Sequence, residues 1–140
     1  MKNMYEIFDE FEEAKSKKDK MDVIAKNLSK TLVQVLELTF HPQYQWIVKE
    51  MPENYKVPDT KPGISISQLS TEIRRIYLFQ EGHPEAEKLN PRKRHELLIQ
   101  FLEGIEPREA EVVMGIFKKD QGVKGLNYAF VKEAFPNLLP

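Results

Sequence analysis

Apolar residues recur along most of the chain at spacings of three and four, the period of an amphipathic helix. Met4, Ile7, Phe8 and Phe11 form the first such stripe, and Glu6, Asp9, Glu10, Glu12 and Glu13 make the rest of that segment acidic. A second helix is predicted from Lys17 to about Lys26, with Ser16 as N-cap, Asp19 near its positive end, and Met21, Ile24 and Leu28 inward. Ser29 caps a third, whose Leu32, Val35, Leu36 and Phe40 cover enough of its surface to put it near the centre of the core. His41-Pro42 interrupts it, and a short helix from Tyr44 to Val48 carries the single tryptophan, Trp46.

Residues 51–63 read as loop, rich in proline, and Ile64 and Ile66 as an extended lead-in to a helix capped by Ser67. That helix is expected to reach about Gln80, with Leu69, Ile73, Ile76 and Tyr77 inward. Gly82, His83 and Pro84 open a second loop. Asn90-Pro91 then starts a helix with Leu97, Leu98, Phe101 and Leu102 on its apolar side, ended by Gly104. Pro107 starts another, where Ala110, Val113, Ile116 and Phe117 align and Glu109 and Glu111 face outward. After a glycine-bearing turn, Phe130, Val131, Ala134 and Phe135 mark a last short helix. The expected fold is all-α: a compact single-domain bundle of seven or eight helices.

Composition narrows the function classes. A length of 140 residues suits one domain, here an acidic N-terminal helix over residues 1–15 followed by a helical domain over 16–140. There is no cysteine, which excludes disulfides, thiol nucleophiles and thiolate zinc sites. No apolar run approaches a membrane span and the N-terminus lacks a signal-peptide core, so a cytoplasmic location is expected. With 21 basic and 22 acidic residues the net charge is −1, so any nucleic-acid contact must come from a local patch.

The last third is distinctive: a Val- and Met-bearing helix, then Lys118-Lys119-Asp120-Gln121-Gly122-Val123-Lys124-Gly125-Leu126-Asn127, then a short helix and Phe135-Pro136-Asn137-Leu138-Leu139-Pro140. Upstream stand Lys17-Lys18-Asp19-Lys20, Leu36-Glu37-Leu38-Thr39-Phe40, Met51-Pro52 and Ile64-Ser65-Ile66-Ser67-Gln68-Leu69. In this order the set resembles the N-terminal DNA-binding domain of phage-type ATP-dependent DNA ligases, from about residue 16 to the end. The resemblance implies a phage source, hence the host cytoplasm, and contact with duplex backbone through the glycine turn. It does not extend to ligation, which needs a Lys-x-Asp-Gly motif and a nucleotide-binding core. Here Lys118-x-Asp120 is followed by Gln121, and too few residues remain after Gly122 for such a core. A stand-alone accessory protein without catalysis or cofactor is the expectation.

The turn is the first candidate site. Gly122 and Gly125 let backbone approach a ligand, free amides at a helix start favour an anion, and Lys118, Lys119, Lys124 and Asn127 supply charge and a donor. The plain alternative is a C-cap at Gly122 and an N-cap at Asn127. Arg92, Lys93 and Arg94, with Lys88, place positive charge at a helix start, where the dipole disfavours it; they are either a phosphate-facing patch or a solvated face. Arg74, Arg75 and Lys61 would extend that surface. His41, His83 and His95 lack ligand spacing, so no metal is expected.

Two functions remain open. One is binding of duplex DNA, or RNA, backbone without sequence readout. The other is an adaptor on the same scaffold that contacts a phage or host protein of nucleic-acid metabolism. In that second role Met4, Ile7, Phe8 and Phe11 are the candidate partner-binding residues, against the commoner outcome of packing on their own domain.

Overall fold

The computed structural model describes residues 2–58 and 67–140. The expected lead-in at Ile64 and Ile66, and Lys61, lie outside the described residues. Eight α-helices and one 3-10 helix occur among the described residues: α1 (Met4–Glu13), α2 (Lys17–Lys26), α3 (Lys30–Phe40), α4 (Leu69–Glu72), the 3-10 helix Ile73–Phe79, α5 (Pro84–Glu87), α6 (Pro91–Glu103), α7 (Pro107–Lys118) and α8 (Tyr128–Ala134). The domain is all-α.

Local chemistry starts most of these helices. Ser16, Ser29, Asn90 and Asn127 each accept a hydrogen bond from the amide three residues on, satisfying one of the donors a helix start leaves unpaired. Pro91 and Pro107 sit in first turns, where the missing N–H costs nothing.

α7 holds the centre of the core, packing against α1, α3 and α6. Its residues from Ala110 to Phe117 are buried except Glu111. Glu109, expected to face solvent, is instead only 4% exposed. Its two carboxylate oxygens accept from the amides of Met4 (3.1 Å) and Tyr5 (2.8 Å), clasping the first turn of α1. Burial pushes its pKa up, against the lowering effect of those two hydrogen bonds.

This clasp corrects the docking role considered for α1. Met4, Ile7, Phe8 and Phe11 are all buried in the common core, so none of them faces a partner. On the outer side of α1, Glu10 pairs with Lys2 and Lys26, which hold its carboxyl at about 2.

Two segments depart from the expected helices. Tyr44–Val48 forms no helix, because Ile47 donates to the Phe79 carbonyl (2.9 Å) and Glu81 to that of Gln45 (2.8 Å). This antiparallel bridge at Trp46 and Gln80 holds the indole fully buried against Phe117. The helix expected from Ser67 to Gln80 runs instead as one α-turn followed by a 3-10 segment, with Gln68 at its start. In a 3-10 helix positions three apart share a face, so Ile73, Ile76 and Phe79 point inward and Tyr77 is left exposed. Leu28, expected on the inner side of α2, lies just beyond its end and is 58% exposed. No described helix is long and apolar enough to cross a membrane.

Candidate nucleic-acid interface

The turn between α7 and α8 is tightly built. Lys119 adopts a left-handed conformation (φ 62), its amide donates to the Ile116 carbonyl, and that of Asp120 donates to Gly115, a Schellman closure of α7. The reversal expected of Gly122 thus falls three residues earlier, on a lysine. Gly122 (φ 68) and Gly125 (φ 87) then bend the chain, and the Asn127 side chain caps α8.

Two amides of this turn already have anionic partners. Gly122 donates to Asp120 Oδ1 (2.8 Å) and Lys124 to Glu12 Oε2 (3.3 Å), so neither is free for a phosphate. The lysines divide as well. Lys118 and Lys124 are exposed, whereas Lys119 turns inward and its Nζ donates to the carbonyls of Leu38 (3.1 Å) and His41 (2.7 Å) at the end of α3. Burial, with the nearby charge of Lys49, lowers its pKa to about 8.

Arg94 is likewise spent on structure. Its guanidinium donates to Ala86 (2.8 Å) and Leu89 (3.1 Å), closing the end of α5. Arg92 faces Glu96 at 3.6 Å and Lys88 faces Glu85 at 3.4 Å, and Lys93 has no ion-pair partner among the described residues. Arg75 lies 4.0 Å from Glu72. No hydrogen bond or ion pair among the described residues joins Arg92, Lys93 or Arg94 to the turn. The histidines are dispersed: the Nδ1 atoms of His41 and His83 accept from nearby amides, and His95 meets Asn54.

What the fold does place beside the turn is the start of α2. Lys17 and Lys20 line a depression of about 340 Å³ with Gly125, Asn127, Ala129 and Phe130, and Glu133 closes its far side. Lys20 donates to the Phe11 carbonyl (2.8 Å), and Gly125 lies so close that an added Cβ would sit 3.3 Å from the Lys20 stem. Lys17 pairs with Glu133. Lys15 and Lys18, its chain neighbours, and Lys124 on the turn are exposed and have no ion-pair partner among the described residues. Sequence reading passed over this patch as a site, although four lysines in the six residues 15–20 are a visible signal.

The other side of the turn rests on α7. Gln121 lies across the bare backbone at Gly115, where a Cβ would come within 2.4 Å of its Oε1. Its Nε2 donates to Thr39 Oγ1 (3.0 Å) and to the Val112 carbonyl (3.1 Å). Gly115→Ala gains about 1 kcal/mol of helix propensity but displaces that anchored amide. We expect a net loss of about 1 kcal/mol, read from urea denaturation, because two part-buried hydrogen bonds go. A stabilised variant would show that Gln121 swings away at no cost.

Residues 7–124 match a family described as a family of unknown function (DUF6433), and the chain belongs to that family. No curated protein matches it.

Proposed function

We propose that this member of a family of unknown function is a non-catalytic accessory domain that lies against the backbone of duplex nucleic acid without reading its sequence. The ligase-type resemblance of the turn and its flanking helices supports this reading. The observation that carries it is the start of α2, where Lys17 and Lys20 line a depression with Gly125 and Asn127 and the exposed Lys15 and Lys18 lie beside them in the chain. Phosphates are met by cations, and Lys15, Lys18 and Lys124 are exposed with no ion-pair partner among the described residues. Lys119 and Arg94 drop out of the proposed contact set, because their charges serve the ends of α3 and α5.

Fluorescence anisotropy against intact, nicked and single-stranded DNA across a salt series tests this. Contact with a handful of phosphates gives a log–log salt slope of about −3 to −5 on duplex. Lys18→Ala and Lys124→Ala are each expected to weaken binding about threefold to tenfold and reduce the slope by about 1. Lys93→Ala should leave affinity unchanged. Absence of duplex binding at low salt would remove this reading.

The second reading is an adaptor that contacts a protein. A groove lined by Asp120, Gln121 and Gly122 of the same turn favours it.

A further inference from the structure

Between the loop at Met51 and the C-terminal half of α7 lies an open groove of about 500 Å³, with Met114 and Gly115 in its floor and Glu111, Lys118 and Asp120 around it. Met51 is 36% exposed and lines this groove. Met51 suits a surface that adapts to an incoming side chain, since the unbranched thioether repacks easily, and the buried Met114 lies in the floor. The wall opposite is preformed, because Gln121 is tied to both α3 and α7.

Charge decides what fits. Glu111 is exposed and has no hydrogen-bond or ion-pair partner among the described residues, and one oxygen of Asp120 is left after Gly122 is served. Across Glu111, Gln121 and Gly122 the groove continues into a depression of about 280 Å³ that adds Glu12, Asp9 and Arg108. Arg108 neutralises Asp9 through two hydrogen bonds of 2.6 and 2.7 Å. Lys118 offsets one carboxylate, which leaves the continuous surface acidic. Phosphate is disfavoured here, and this surface adjoins the lysine patch at Glu12, which accepts from the Lys124 amide.

We propose that this groove docks a protein segment that inserts an apolar side chain between Met51 and Met114 and sets lysine or arginine against Glu111, Asp120 and Glu12. The inference stands apart from the nucleic-acid reading and uses different residues. A domain with both surfaces would tether a basic segment of a partner next to duplex backbone.

The test uses the full chain and a fluorescein-labelled twelve-residue peptide of leucine and lysine with helical spacing, followed by anisotropy at low salt. Binding is expected to fall at least fivefold in Glu111→Lys and in Met51→Lys, and to be unchanged in Glu81→Lys, which makes the same charge change elsewhere. A peptide with serine for leucine should bind at least fivefold more weakly. Amide NMR shifts on titration should centre on residues 51 and 111–122. Equal losses in Glu81→Lys and Glu111→Lys, or undiminished binding of the serine peptide, overturn the proposal, since charge alone would then explain the contact. Self-association in sedimentation that Met51→Lys abolishes also overturns it, by making a second copy the occupant. Duplex affinity measured on the same variants should not fall, so failure here is distinguishable from failure at Lys18 and Lys124.

Discussion

Phe11→Ala is expected to destabilise the domain by about 3–5 kcal/mol, the range for losing a fully buried aromatic ring. Phe11 is 0% exposed and joins three parts of the fold. Its ring meets Phe130 of α8 edge-on, with centroids 5.0 Å apart, while the Lys20 ammonium of α2 lies 4.7 Å from its centre. A Cβ on Gly125 would lie 3.7 Å from the ring, so the turn packs there too. The cavity left by alanine is bordered by a closely approaching backbone on one side and by Phe130 on the other, so it cannot collapse cheaply. Against a typical total of about 5–15 kcal/mol, this is a large share.

Urea denaturation reads the effect as a drop in midpoint at unchanged slope. The result also decides what α1 is for. If α1 were an appendage that docks elsewhere, alanine at 11 would leave the midpoint where it is, and the four apolar residues of α1 would return as a partner-binding stripe. With Glu109 clasping Met4 and Tyr5 from α7, the larger loss is the expected result.

Legibility in the sequence followed the range of the interactions. N-caps are local: the bonds at Ser16, Ser29, Asn90 and Asn127 span three residues each, and all four were readable from residue type and position. Helix C-termini were readable only in part: α2 ends at Lys26 and Gly104 ends α6 as expected. Three ends are closed by cations whose identity only the fold reveals: Lys20 at Phe11, Arg94 at Ala86 and Leu89, and Lys119 at Leu38 and His41, while Lys132 ties Pro136 and Leu139 in the tail beyond α8. Each removes a basic residue from the pool that composition offers to a polyanion. Of the lysines and arginines proposed at the site, Lys119 and Arg94 failed for this reason. Lys15, Lys17, Lys18 and Lys20 are conspicuous as a cluster, but their relevance needed α2 placed against a turn more than a hundred residues later. Trp46 was misread as helical because its constraint is likewise distant, a bridge to Gln80. The Ile73, Ile76, Phe79 period of three was readable, and it marks the 3-10 segment that a helix template obscured.

Lys119→Met is expected to cost about 1.5–3 kcal/mol at neutral pH, since it removes a charged donor from two carbonyls at a helix end. The residue holds a left-handed conformation that costs a non-glycine residue about 1–2 kcal/mol, so glycine would suit the backbone better. Lys119→Gly should therefore be less damaging than Lys119→Met by about 1 kcal/mol, because it gives up the donor and the strain together. The pH dependence has a definite sign. In the unfolded chain this lysine keeps its proton to about 10.5, but in the fold it releases it near 8. Between those values the unfolded state binds more protons, so this group makes stability rise with pH across that window. Tyr44 and Tyr55, whose pKa values burial raises, act in the opposite direction once pH passes the ordinary tyrosine value of 10.0. Urea midpoints of wild type and Lys119→Met between pH 7 and about 9.5 isolate the lysine. The gap between the two proteins should widen as pH rises through 8. A gap that narrows would mean the ammonium keeps its proton more tightly in the fold than out of it, with the α3 carbonyls outweighing burial. A gap of zero throughout would return Lys119 to the surface and to the phosphate-facing set.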